Sequence, residues 1–306
     1  MKIFTHSFNP KSNSGPNKFT RQLFENMIKK FNVSVINKQE DADIEFCLIQ
    51  QSFYKSKPMV LRLDGIYFNS DQDYANQNAP IKYSYDNADC VIFQSNFNKE
   101  LIETWFGPHK NGHVIHNGAD LEVVREANGN YWNSQLGQDT EVWTCASSWR
   151  PHKRLKENIR YFMEHAPKDS ILCVAGDGIK SDDFSGWSVE QFRRIRYLGK
   201  LDYISLLSLY KRSTTFIHLS YLDHCPNVVV DAQASGCKII CSSTGGTSEI
   251  VSNGIVIKES NWDYSPIRLY VPPKLNFNNS YEIKTESKDT IDKVSEKYYN
   301  AMKGIL

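Results

Sequence analysis

Two aspartates, Asp223 and Asp231, stand eight positions apart in the segment FIHLSYLDHCPNVVVDAQASGCKIICSSTGGTSEIV, which runs from Phe216 to Val251. The first falls in a polar loop after an apolar run. The second falls on the early turns of a helix predicted to begin at Pro226, because proline suits a first helical position, where the missing N–H had no partner anyway. A helix start presents free N–H groups and partial positive charge, which suit phosphate and sugar oxygens. Upstream, Arg150, Lys153, Arg154 and Lys156 crowd the start of another predicted helix. Cations there oppose the helix dipole at roughly a few tenths of a kcal/mol each; a bound anion reverses that penalty, although a solvated basic face reads the same way. A helix start of this kind next to two carboxylates points to a nucleotide-sugar site.

Three glycine turns add to the inventory. Gly176-Asp177-Gly178 has the beginning of a dinucleotide fingerprint, but Ser181 holds the third glycine position, and taken alone the run is a strand-exit turn. Gly245-Gly246-Thr247 opens a helix holding Glu249, either as a plain turn or as a backbone cradle for a phosphate. Ser14-Gly15 makes the same offer from the other half of the chain. Asp64 ends the strand predicted over 59–63 and is either a turn former or a site residue. His116, just before an Asn-Gly turn, reads as structural, and His152 reads either way.

Alternating strands and helices position these groups. Strands are predicted over 2–7, 33–36, 44–49, 59–63, 90–94 and 113–116. Helices are predicted through about Lys30, where Phe19, Leu23, Met27 and Phe31 recur every four residues, and over 96–106. A polar, aperiodic stretch from Glu122 to Asp139 reads as a linker. The alternation then restarts, with strands over 141–146, 171–175, 195–198, 216–220 and 238–243 and helices over 155–164 and 203–211. After an irregular stretch, Asn261–Asn279, an amphipathic helix over 288–304 ends the sequence, with Ile291, Val294, Tyr298, Met302 and Ile305 on one face. Strands alternating with helices predict parallel, doubly wound sheets. Two such halves predict a cleft, with ligands beyond the carboxyl ends of the strands.

Composition narrows the classes. The 306 residues, 40% hydrophobic and 23% charged, fit two ordinary cores, and a net charge of +1 argues against a general nucleic-acid or membrane-surface binder. MKIFTHSFNP lacks the apolar core of a signal peptide, and no apolar run has the length to span a bilayer. The 7 cysteines are odd in number and scattered, and Cys237 and Cys241 lack zinc-pair spacing. The expectation is a reduced, cytoplasmic protein without a metal site.

The ordered set Ser14-Gly15, Ala88–Ser95, Val114–Asp120, the Lys153 segment, Ala175–Gly178, Tyr197–Gly199 and Phe216–Val251 resembles the GT4-type retaining glycosyltransferases of the GT-B fold, along most of the chain. The resemblance implies two Rossmann-like domains facing a cleft: 1–121 for the acceptor, a hinge over 122–139, 140–287 for the nucleotide-sugar donor, and a helix over 288–306 crossing back to the first domain. It implies that Asp223 and Asp231 stand for the family's glutamate pair, the first beside the reacting centre and the second on the ribose diol. Lys153 matches the family's diphosphate lysine. Ser148 stands where its arginine would be, with Arg150 two residues on as the substitute. Asp64 occupies a position resembling that of a family histidine facing the donor sugar, so Asp223, Asp64 and Lys153 form the implied catalytic set. Ser14, Gly15, Gly176, Gly178, Leu198, Cys225, Pro226, Asn227 and Val228 complete the implied donor site, and Tyr67 is the acceptor-side candidate. The implied reaction moves a sugar from a nucleoside diphosphate to a hydroxyl of a glycan or other acceptor, with retention, no metal, and no cofactor beyond the donor as co-substrate. A nucleotide-sugar epimerase of the same fold and a non-catalytic nucleotide-sugar-binding protein are the alternatives. A nicotinamide dehydrogenase is disfavoured, because neither half has a full glycine fingerprint.

Overall fold

The computed structural model describes residues 1–12, 14–180, 186–286 and 289–306. Ser181 and the expected boundary at 287 and 288 lie outside the described residues. The chain divides into two compact units, Met1–Asp120 with Asp263–Ile267 and Asp289–Leu306, and Leu121–Trp262 with Arg268–Lys288.

In the first unit, β1 (Lys2–His6), α1 (Gly15–Phe31), β2 (Ser34–Ile36), β3 (Ile44–Leu48), β4 (Met59–Leu63), α2 (Tyr74–Asn87), β5 (Cys90–Phe93), α3 (Asn96–Phe106) and β6 (Gly112–Val114) follow in sequence. Every residue of β3, β4 and β5 is buried, as expected of parallel strands covered on both faces. The strands pair in parallel in the order β2-β1-β3-β4-β5-β6. Helix α1 starts with Pro16 in its first turn and stops at Asn32, whose φ of 51° is left-handed, a conformation asparagine tolerates at a helix end. Its Phe19, Leu23 and Met27 stripe is buried as the spacing predicts.

In the second unit, α4 (Leu121–Glu126), α5 (Asn133–Leu136), β7 (Val142–Ala146), a 3-10 turn at Pro151–Lys153, α6 (Leu155–His165), β8 (Ile171–Ala175), α7 (Val189–Arg193), β9 (Ile195–Gly199), α8 (Tyr203–Arg212), β10 (Thr215–His218), α9 (Asn227–Ala234), β11 (Lys238–Ser242), α10 (Thr247–Ile250), β12 (Asn253–Ile257) and β13 (Ser280–Lys284) follow. The sheet order is β13-β12-β11-β10-β7-β8-β9. All pairs are parallel except β12 with β13. Edge strand β13 is missing from the sequence reading because most of its residues are exposed and it presents no apolar face. The stretch read as a linker carries α4 and α5, with Val124, Ala127, Trp132 and Leu136 buried; its polar letters are the outer sides of short helices. Pro226 is the residue before α9 rather than its first helical residue, with ψ at 118°.

Helix α11 (Ile291–Lys303) belongs to the first unit. It is capped by Thr290, whose hydroxyl accepts from Lys293 N at 3.4 Å. Ile291, Val294, Tyr298 and Met302 are buried in one core with Phe19, Leu23, Met27 and strands β1, β3, β4 and β5.

Candidate active site

In an open α/β sheet, ligand sites lie beyond the carboxyl ends of the strands where the strand order reverses direction. In the second unit that point falls between β7 and β10, which are paired neighbours. The loop leaving β7 carries Lys153, and the loop leaving β10 carries Asp223. The backbone ties the two loops together. Tyr221 N donates to His152 O at 2.8 Å. Asn158, buried on α6, donates its amide to Lys153 O at 3.1 Å and Arg154 O at 2.7 Å, and accepts from Leu219 N at 3.2 Å. Behind them, Gly246 N donates to Asp223 O at 2.7 Å. A Cβ at Gly245, whose φ is 93°, would lie 2.4 Å from that same oxygen. The Gly245-Gly246 turn therefore serves as a backrest for Asp223, and the Gly246 N–H is committed to protein rather than free for phosphate.

Asp223 and Lys153, 70 residues apart in sequence, meet at 2.5 Å between Nζ and Oδ2. His218 Nε2 lies 2.9 Å from the same oxygen, and His224 N donates to Oδ1 at 3.1 Å. Burial pushes the Asp223 carboxyl up, but the Lys153 charge and the His218 hydrogen bond outweigh it and hold the group well below the usual carboxylate range. Burial moves His218 the other way, below its ordinary value, against the pull of Asp223. A carboxylate only accepts, so Nε2 carries the proton of this neutral imidazole. Burial likewise pushes His152 down to about 3 and His224 to about 4.

The other cations of the basic run separate into different jobs. The Arg154 guanidinium is buried against Glu259, at 2.6 and 3.0 Å, and donates to Pro273 O at 2.8 Å. It balances a buried carboxylate, contrary to the expectation that it joins an anion site. Arg150 is exposed on the loop. Gly176 and Gly178 have positive φ, and a Cβ there would lie 1.8 Å from Ser147 O and 2.6 Å from Trp149 O. They let the β8 exit pass directly beneath the β7 exit, where Trp149 N donates to Asp177 O at 2.7 Å. Asp231, on α9, is buried and accepts from the Tyr203 hydroxyl at 3.1 Å. Cys225 and Pro226 are buried, Asn227 and Val228 open α9, and Leu198 is half-buried in β9.

The remaining candidates lie in the first unit. Ser14 and Gly15 are exposed at the start of α1. Asp64 forms an ion pair with buried Arg62 and accepts from Gln94 Nε2 at 2.6 Å. Arg62 also donates to Asn117 Oδ1 at 3.0 Å and to the Tyr298 hydroxyl at 3.1 Å. Asp64 is thus the counter-ion of a buried arginine. Tyr67 is 45% exposed, and its backbone is fixed by Asn78 at 2.8 and 2.7 Å. His116 pairs with Asp289 at 3.5 Å, in keeping with a structural role.

Sequence reasoning missed His218 and Asn158. Each is a polar residue at a position the periodicity assigns to the core, the end of an apolar strand and the buried stripe of α6. That mismatch was the available signal.

Residues 132–265 match the family model described as glycosyl transferases group 1. A glycogen synthase of Mycobacterium tuberculosis is 32% identical over 91 residues, which cover 28% of this chain and 21% of the synthase, so the match spans about a fifth of that relative's length. Among solved structures, sucrose-phosphate synthase from Thermosynechococcus elongatus superposes with a TM-score of 0.66 at 14% identity, covering 85% of this chain and 86% of that one. HepE from Anabaena, in complex with UDP-glucose, gives 0.63 at 15% identity, covering 88% and 87%. No helix among the described residues is long and apolar enough to cross a membrane.

Proposed function

We propose that this chain, whose residues 132–265 match the group 1 glycosyl transferase model and whose fold is GT-B, transfers a sugar from a nucleoside diphosphate to an acceptor hydroxyl, with retention of anomeric configuration. The observation that carries this reading is the Lys153–Asp223 pair at the reversal point of the second sheet. Cleaving the bond between the anomeric carbon and the diphosphate oxygen develops positive charge on the sugar and negative charge on the leaving group. A carboxylate and an ammonium held side by side supply one partner for each, preorganised before the reaction starts.

In this reading Lys153 holds the diphosphate, with Arg150 and the first N–H groups of α9 adding to the positive field. Asp223 lies by the sugar. Asp231, its carboxylate fixed by Tyr203, takes the ribose diol. The acceptor oxygen attacks on the face the diphosphate leaves, and its proton passes to the departing phosphate oxygen. These protein charges serve the leaving group directly, so the proposed step is drawn without a metal. Cytoplasmic action on a soluble donor is part of the same proposal. The complex of HepE with UDP-glucose makes uridine diphosphate sugars the first donors to try.

The test is release of nucleoside diphosphate from a donor panel, with and without hydroxyl acceptors. Acceptor-dependent release supports the proposal. Conversion of the donor to its epimer without acceptor would replace it with the epimerase reading, and binding without any turnover would replace it with a binding protein.

A further inference from the structure

Asp223 Oδ2 has two side-chain donors of different character. Lys153 reaches it with a long, flexible side chain at 2.5 Å, whereas His218 reaches it at 2.9 Å from the last position of β10. Strand β10 is wholly buried and bonded on both sides, to β7 and β11. The imidazole is 4% exposed and lies nearly parallel to the Phe216 ring, with centroids 6.2 Å apart and planes at 14°. A strand end of this kind ordinarily holds an aliphatic side chain. Burying an imidazole there is costly unless its polar edge is satisfied, and Asp223 satisfies it. Oδ1, by contrast, accepts a backbone bond from His224 at 3.1 Å.

On the proposed reaction, a diphosphate competes with Asp223 for the Lys153 ammonium. As the lysine turns to the phosphate, the carboxylate would be left largely buried with its principal charge partner withdrawn, which is expensive. His218 cannot follow the phosphate, because its backbone is part of the sheet. We propose that His218 is a positioning residue for sugar transfer: its Nε2–H pins Asp223 Oδ2 while Lys153 serves the diphosphate, leaving Oδ1 as the oxygen offered to the sugar. This rests on the transfer reading above. It also gives this chain a way to hold an aspartate, a short acid, at fixed reach. Among the described residues, the charged and titratable groups that act on the carboxylate include Lys153 and His152 from the β7 loop, with Arg150 acting on His152 in turn, His218 from β10 and His224 from its own loop.

Two variants separate positioning from bulk. His218→Leu fills the site without a donor, and His218→Gln retains an N–H near the Nε2 position. With unfolding temperatures measured for both, His218→Leu should lower kcat by about 10- to 100-fold, the scale of a lost hydrogen bond to a charged group. Donor KM should change by less than about 3-fold, and His218→Gln should recover most of kcat. A drop carried by KM alone, or a Gln variant no better than Leu when both are folded, overturns the assignment. A second measurement needs no turnover. Nitrogen-15 NMR of the imidazoles should find His218 as the Nε2–H tautomer at neutral pH, with its signal displaced by Asp223→Ala. An Nδ1–H tautomer, or a signal indifferent to that substitution, sinks the His218 assignment even if transfer is confirmed. Absence of transfer in the wild-type protein, with the expected imidazole signal present, sinks the transfer reading instead.

Discussion

At the scale of single residues, the candidate site holds an ion pair whose two members the sequence singles out and whose supports it does not. Asp223 stood out through its partner eight positions on, and Lys153 through its place between a strand and a helix. Nothing in local sequence announces a hydrogen bond across 61 residues, so the clip from Asn158 to Leu219 became visible only in the folded chain, as did the turn that sets His218 beside Asp223, five positions on. Arg154 shows the opposite error: a charge at a helix start looks like an anion binder until a buried glutamate appears beside it. On the proposed reaction, Asp223→Ala should reduce transfer by at least about a thousandfold, because it would remove the charge set opposite the developing cation. Lys153→Ala should raise the donor dissociation constant about 10- to 100-fold, as expected for a charge-assisted contact; isothermal titration with nucleoside diphosphate reads this directly. Glu259→Gln should destabilise the fold by about 3–5 kcal/mol in denaturant unfolding, because Arg154 stays buried with its carboxylate countercharge gone.

Elements were legible where burial gave them a period. The continuous apolar runs of β3, β4, β5, β7 and β8 and the stripes of α1 and α11 came through within a residue or two, because both follow from which faces are covered. Strand β13 and helices α4 and α5 did not, since an exposed edge strand and a short helix leave little apolar signature. The glycine turns illustrate a subtler limit. Sequence marks Gly176 and Gly178 as turn formers, but the reason for glycine is the neighbouring strand exit pressed against them. Gly176→Ala should therefore cost more than a turn substitution usually does, about 3 kcal/mol or more, since Ser147 and its loop must be driven away from the β8 exit. Urea unfolding measures the cost. A variant as stable as wild type would mean that the two exits are not packed as described.

For the molecule as a whole, acid stability follows from the buried histidines and the paired carboxylates. His152 and His224 are held down to about 3 and about 4, against about 6.5 in an unfolded chain. The unfolded state therefore binds more protons below pH ~6.5. Stability is whole above that value and falls as the pH drops toward 4, by about 1.4 kcal/mol per pH unit for each histidine fully withheld from protonation. His218 adds to the loss in the same direction. Below about pH 4 the depressed carboxyls, Asp289 at about 2 and Asp223, extend it, because their stabilisation fades as they protonate. Unfolding midpoints at pH 7, 5.5 and 4.5 should descend in that order; a flat profile across this range would contradict the burial of the histidines.

Helix α11 has a consequence in time. A ribosome makes the first sheet, with the apolar face of α1, well before residues 289–306 exist. The second unit has to be synthesised in between, which at about 5–20 residues per second takes on the order of ten seconds or more. Throughout that interval the core around Phe19, Leu23 and Met27 lacks Val294, Tyr298 and Met302, and the buried Arg62 lacks the Tyr298 hydroxyl. The first unit to be made is thus among the last to be finished, and its unfinished face is a natural client for a chaperone during that delay.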